Sequence, residues 1–145
     1  MKWITAEHPN ADQVACTWLI KHFLDKNAEF VFVATEQVSS EAERIGATAY
    51  AVPDVALGQH GEEAAFEAIV KKYDLTADPA LILLGKIVGG AQPESAGLKA
   101  VAEGFKHLSF KDDDALIRAE WVVFDALYGY CIQSIIQDKP DGMFR

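Results

Sequence analysis

The chain has 145 residues, half of them hydrophobic, with 22 acidic against 13 basic side chains and a net charge of −9. That length can bury a core without a metal or disulfide staple, and the hydrophobic content argues against disorder. The acidic balance argues against direct nucleic-acid binding through a basic stripe, and no apolar run reaches the roughly 20 residues that cross a bilayer. The only cysteines, Cys16 and Cys131, lie in apolar helical patterns and read as buried small hydrophobes of a reducing compartment. With no leader pattern at the N-terminus, the expected location is cytoplasmic.

Lys2 to Thr5 reads as a strand, and the β-branched and aromatic run Glu29 to Val33 as a second. Between them, Asn10 as N-cap and Gln13 three residues on predict a capping box that opens a helix at Ala11 running to about Asp25. Val14, Ala15, Trp18, Leu19 and Phe23 share its apolar side, widened by Cys16 and Ile20, with Gln13, Thr17 and Lys21 opposite. Asp12 lies in the first turn, where its charge complements the helix dipole, so it reads equally as a helix-start residue and as a functional one.

A short helix follows at Ser39 to Ile45, stopped by Gly46, and Thr48 to Val52 reads as a third strand ended by Pro53. Strands alternating with helices over short connections predict a small three-stranded parallel sheet with right-handed crossovers. Ligands of such sheets gather at the carboxyl ends of the strands, where the turn from His8 to Asp12 and the loop from Pro53 to Gly61 should meet. In that loop His60 lies between glycines and reads as a metal ligand or proton carrier, or as a locally bonded turn residue.

The second half is mainly helical. Glu62 to Tyr73 carries Ala65, Phe66, Ile69, Val70 and Tyr73 on one face, and Asp78-Pro79 opens a helix to about Val88. Another helix begins at Gln92-Pro93-Glu94-Ser95 and runs to about His107, bearing Leu98, Val101, Ala102 and Phe105. The acids Asp112 to Asp114 start the last long helix, whose expected buried stripe is Leu116, Val123, Leu127, Tyr130, Cys131 and Ile135, with a kink at Gly129. The tail from Asp138, with Pro140 and Gly142, reads as frayed. The whole is read as one α/β domain over residues 1–145.

Several segments together carry a family resemblance. They are Val14-Ala15-Cys16-Thr17-Trp18-Leu19-Ile20-Lys21, Ala28-Glu29-Phe30-Val31-Phe32, Leu57-Gly58-Gln59-His60-Gly61, Pro93-Glu94-Ser95-Ala96-Gly97-Leu98 and Phe124-Asp125-Ala126-Leu127-Tyr128. In this order the chain resembles the ChrB-type domain of chromate resistance over nearly its whole length. The resemblance implies an accessory protein of chromate or oxyanion stress, without the N-terminal regulatory region of longer members. The chain departs from the family pattern where acids, a second histidine and a cysteine give way to Ala51, Ala56, Gln59 and Ala64-Ala65, and where Gly89-Gly90-Ala91-Gln92 stands for an Arg-Gly-Ala-Asp-like segment. A reduced or altered site is the corresponding expectation.

The first functional reading is therefore a small-molecule or oxyanion site at the sheet edge, built from His8, Asp12, Cys16, His60 and Glu94, with one divalent metal ion on His60 and Asp12 as its metal form. A fainter likeness, carried by His8, Pro9, Asp12, His60 and Glu94-Ser95-Ala96-Gly97-Leu98, is to DHH-type phosphoesterases. It implies the second reading, a metal-dependent hydrolase or a redox enzyme using the same residues. The third is a non-catalytic homodimeric protein that binds a partner through exposed tryptophans or the last helix.

Overall fold

The computed structural model describes residues 1–137. Three parallel strands, β1 (Lys2–Ala6), β2 (Glu29–Val33) and β3 (Thr48–Ala49), pair in the order β2-β1-β3. β1 is central, with Trp3 opposite Phe30 on one side and Thr48 on the other. Because side chains alternate across a strand, Trp3 enters the larger core, while Ile4 and Ala6 face the other way onto Val38 and Val52. Helix α2 (Val38–Ile45), entered through a 3-10 turn at Thr35–Gln37, covers that second face.

The larger core is built from α1 (Ala11–Leu19), α3 (Ala65–Lys72), α4 (Pro79–Val88), α5 (Ser95–Lys106) and α6 (Asp113–Gln137). The start signals of α1 and α4 act as the sequence predicts. Asn10 and Gln13 exchange side-chain bonds to each other's backbone N–H, and the Asp78 carboxylate accepts from the Ala80 and Leu81 N–H groups. Gly46 closes α2 at φ 69°, the left-handed conformation that glycine adopts without steric cost. Asp112 likewise caps α6 through the Ala115 N–H. The expected frayed tail from Asp138 lies outside the described residues.

The departures have local physical causes. The third strand stops at Ala49: Tyr50 N–H still donates to Ile4, but Ala51 turns to φ 56° and its N–H goes to Leu57 instead. The helix expected from Glu62 begins at Ala65, because His60 and Glu63 pair their backbones in an isolated bridge first. α1 does not continue regularly to Asp25 but widens into a π-turn at Ile20–Leu24, closed by Asp25 N–H on the Ile20 carbonyl.

Gln13 and Thr17, expected on the polar side of α1, are buried. The Gln13 amide donates to Ala6 O and Thr5 Oγ1, and the Thr17 hydroxyl bonds Gln13 O and Tyr50 Oη. The side of α1 that faces the sheet is thus polar in composition yet fully bonded, as buried polar groups must be. In the last two helices, Leu98, Ala102 and Cys131 are buried as expected, whereas Val101 and Tyr130 are 43% and 47% exposed. α6 runs without interruption through Gly129.

Candidate functional site

β1 delivers the chain to the carboxyl edge of the sheet at Ala6, and the turn to α1 passes through His8 at φ 57°. The strand β3 delivers it to the same edge, where Ala51 and Asp54 take φ 56° and 66°. A non-glycine residue in this region costs on the order of 1–3 kcal/mol and persists only where its surroundings impose it. Among the described residues, three of the four such residues lie in the two loops that meet here; the fourth, Asp74, follows α3. The loop after β3 is also packed tightly: a Cβ on Gly58 would overlap the Val52 carbonyl oxygen.

Around the first turn of α1 the surface is furrowed. A cavity of 440 Å³ lies between Asn10, Asp12, Gly90, Ser95 and Lys99. One of 360 Å³ lies between Asn10, Asp12, Pro53, Gln59 and Gly61, and a third of 430 Å³ joins Gln59 and Gly61 to Gly89 and Gly90. The shared lining residues make these segments of one furrow. Its walls are the α1 turn, the loop after β3, the end of α4 and the start of α5. Ser95 holds the α4–α5 corner of this wall: its hydroxyl donates to Ile87 O at 2.6 Å and accepts from Gln92 N–H at 3.2 Å.

Asp12 stands at the centre. Its two carboxylate oxygens accept the backbone N–H groups of Ala65 at 2.9 Å and Phe66 at 3.1 Å, so Asp12 caps α3 from another helix. Local sequence cannot supply that cap, since Ala64 occupies the N-cap position and has no oxygen to offer. Glu67 helps by accepting the Ala64 N–H. Burial pushes the Asp12 carboxyl above its ordinary range, against the hydrogen bonds from Ala65, Phe66 and Cys16 that favour the anion. Cys16, fully buried one turn on, donates its thiol to Asp12 Oδ1 at 3.6 Å, and burial followed by the Asp12 charge raises its pKa strongly. Cys16 is thus held as a thiol, a poor nucleophile and a poor metal ligand.

Of the residues singled out in the sequence, Asp12 and Cys16 are brought together. His8 is exposed on the adjoining turn, where its backbone N–H donates to Asp113 Oδ2. His60 is exposed in the loop after β3, with Nε2 2.9 Å from Ala56 O. Glu94 lines a different concavity, between α5 and α6, where its Oε2 accepts from Tyr130 Oη at 2.5 Å; that bond lowers its pKa. The Asp12 oxygens and His60 Nε2 are thus already engaged, and among the described residues no group of three or more His, Cys, Asp or Glu is arranged to hold a metal ion. These residues do not fit a bound divalent metal.

Two residues with chemical weight were not anticipated. Lys99 is a cationic side chain in the furrow wall, one turn into α5. Glu120 on α6 is 1% exposed with Oε2 unpartnered, and burial pushes its carboxyl up to about 7, partly offset by Lys106. Its signal was present in the spacing: Leu116, Ile117, Glu120 and Phe124 fall on one helical face, so the glutamate occupies a core position.

The profile of the family described as ChrB, C-terminal domain, matches residues 3–131. The chain belongs to the ChrB C-terminal domain family. It is 32% identical over 142 residues to Protein ChrB of Cupriavidus metallidurans, a match that covers 88% of this chain and 40% of that protein. The chain therefore spans about two fifths of the length of the curated relative it matches. No solved structure matches it. The region shared with the ChrB C-terminal domain takes in β1 from Trp3 onward, the whole furrow and α6 as far as Cys131. No helix among the described residues is long and apolar enough to cross a membrane.

Proposed function

We propose that this ChrB-family domain is a cytoplasmic accessory protein of chromate or oxyanion stress that binds a small anionic ligand, without a metal, in the furrow around Asp12. One observation carries the reading. The furrow lies at the carboxyl edge of a parallel sheet, where α/β proteins bind ligands, and the strained residues His8, Ala51 and Asp54 are concentrated in the loops beside it.

The anionic preference is supported by the end of the furrow at α5. Glu94 makes no side-chain cap there and the Ser95 N–H goes to Gln92 O, so the next N–H groups of the first turn, at Ala96 and Gly97, are the donors, with Lys99 one turn further along. In this reading Asp12 and Cys16 are positioning residues: they fix the α1 turn against the start of α3. His8 and His60 border the site, and Glu94 sets the start of α5. The net charge of −9 repels an anion at long range, so affinity must come from contacts inside the furrow.

Titration calorimetry with chromate, and with sulfate and molybdate as tetrahedral comparators, tests the proposal. The expected result is saturable chromate binding that Lys99→Met weakens by about tenfold, the loss of one charge-assisted contact. Absence of saturable binding by any of the three anions, or binding indifferent to Lys99→Met, would overturn it.

A further inference from the structure

α6 has 25 residues and is therefore about 37 Å long. Its inner side packs on α1, α4 and α5 through Leu116, Ile117, Phe124 and Cys131. Its outer side is unlike that of a solvent-facing helix. The exposed positions Ala119, Val122, Ala126, Tyr130 and Gln133 recur every three or four residues and so form one stripe, in which no side chain is charged. Val122 is 68% exposed and Tyr130 47%. Beyond Asp125, whose carboxylate is turned onto Trp18 Nε1, α6 has no charged residue as far as Gln137. In a chain with 35 charged residues, an exposed helical stripe without any is the signature of a covered face.

Beside the stripe runs a groove of 560 Å³ between α5 and α6, floored by Val101, Val123, Ala126 and Leu127, with Glu94, bonded to Tyr130, in its wall. Val101 is itself 43% exposed. Ridge and groove lie side by side on one face, which is the arrangement a two-fold axis needs: the Val122 and Tyr130 ridge of each copy can enter the groove of the other.

We propose that this α5–α6 face is the interface of a homodimer with two-fold symmetry, in which the α6 helices pack against each other. Charge favours a second copy as the occupant. Two copies at −9 each repel, so they meet most closely through a face poor in acids; the stripe carries none, and Glu94, the acid that lines the groove, accepts the Tyr130 hydroxyl. A partner selected by opposite charge would find nothing on the stripe to pair with. The stripe from Ala119 to Gln133 is about 21 Å long and, at about two helices wide, gives roughly 400 Å² per copy, half the ~800 Å² per partner of a standard interface, so the dimer is a weak one. The furrow around Asp12 is lined by none of the stripe residues, so the dimer leaves that site open.

Light scattering after gel filtration and sedimentation velocity, on the full chain up to hundreds of micromolar, test the proposal. The wild-type chain is expected to pass from monomer to dimer as its concentration rises through this range. Val122→Asp and, separately, Val101→Asp are expected to weaken dimerisation by about a hundredfold, since each substitution enters a two-fold interface twice. Both positions are exposed, and unchanged circular dichroism spectra establish that the variants fold. A monomeric wild-type chain over the whole range overturns the proposal. So does a dimer that survives both substitutions, which would place the contact on another face.

Discussion

Replacing Glu120 by glutamine should stabilise the protein above neutrality and do little in acid. The buried carboxyl has a pKa near 7 in the folded chain against 4.5 for the free side chain, because burial disfavours its anion more than Lys106 favours it. A group whose pKa is raised on folding stabilises the native state fully below the unfolded pKa, and that stability is lost as pH rises through the folded value. Between pH 5 and pH 8 the wild-type protein should therefore lose about 2.5 kcal/mol through Glu120 alone, with most of the loss complete near pH 7. Glutamine keeps the shape and carries no charge, so the variant lacks this loss. Urea unfolding of both proteins at the two pH values measures it, because the other carboxylates contribute alike to each and cancel in the difference. The reasoning fails if the stability difference between variant and wild type is the same at pH 5 and pH 8. Lys106→Met supplies the converse: without the nearby cation Glu120 should titrate higher still, so the pH-dependent loss should begin at the same pH but extend further upward and grow.

Three further outcomes follow from the site. Asp12→Ala leaves the Ala65 and Phe66 N–H groups without their acceptor and should cost about 2–3 kcal/mol in unfolding free energy, with Asp12→Asn costing less because one oxygen remains; an Asp12→Ala variant as stable as wild type would mean that the cap contributes nothing. Gly58→Ala forces the loop after β3 off the Val52 carbonyl, so a loss of about 1–3 kcal/mol with altered anion binding is expected, and an unchanged melting temperature would show that the loop yields freely. Ser95→Ala frees the α4–α5 corner of the furrow wall and should cost about 1–2 kcal/mol and weaken binding there, as read by calorimetry and urea unfolding on the same sample.

Much of this architecture is legible in the amino-acid order because its start and stop signals are local. Asn10 with Gln13, Asp78 with Pro79, and Gly46 act within one turn of the helices they begin or end, so the parallel sheet with its crossovers and the helical second half can be read directly. What escapes is set by residues far apart. The start of α3 depends on Asp12, 53 positions earlier, and the early stop of β3 depends on how the chain bends at Ala51 to reach Leu57. Gln13 and Thr17 look like solvent-facing residues until β1 and Tyr50 are placed beside them. The edge where the two loops meet could be read, since strand order dictates it. Membership of the candidate site was less legible: Glu94 turns to Tyr130, and Lys99, an ordinary helical lysine in the sequence, reaches the furrow wall only once α5 is docked.

The cap that Asp12 gives to α3 also bears on the order in which the protein assembles. α3 has eight residues, too few to persist alone in water, and no oxygen of its own at its N-cap. α1, by contrast, carries both halves of its capping box within four residues. The first crossover, β1 to β2, can therefore form around a helix that is already begun, whereas α3 must wait for a loop of some fifty residues to close onto Asp12. α3 is then expected among the late elements in folding. Its two leading amides should exchange with solvent whenever Asp12 lets go, even while the rest of the core stays shut.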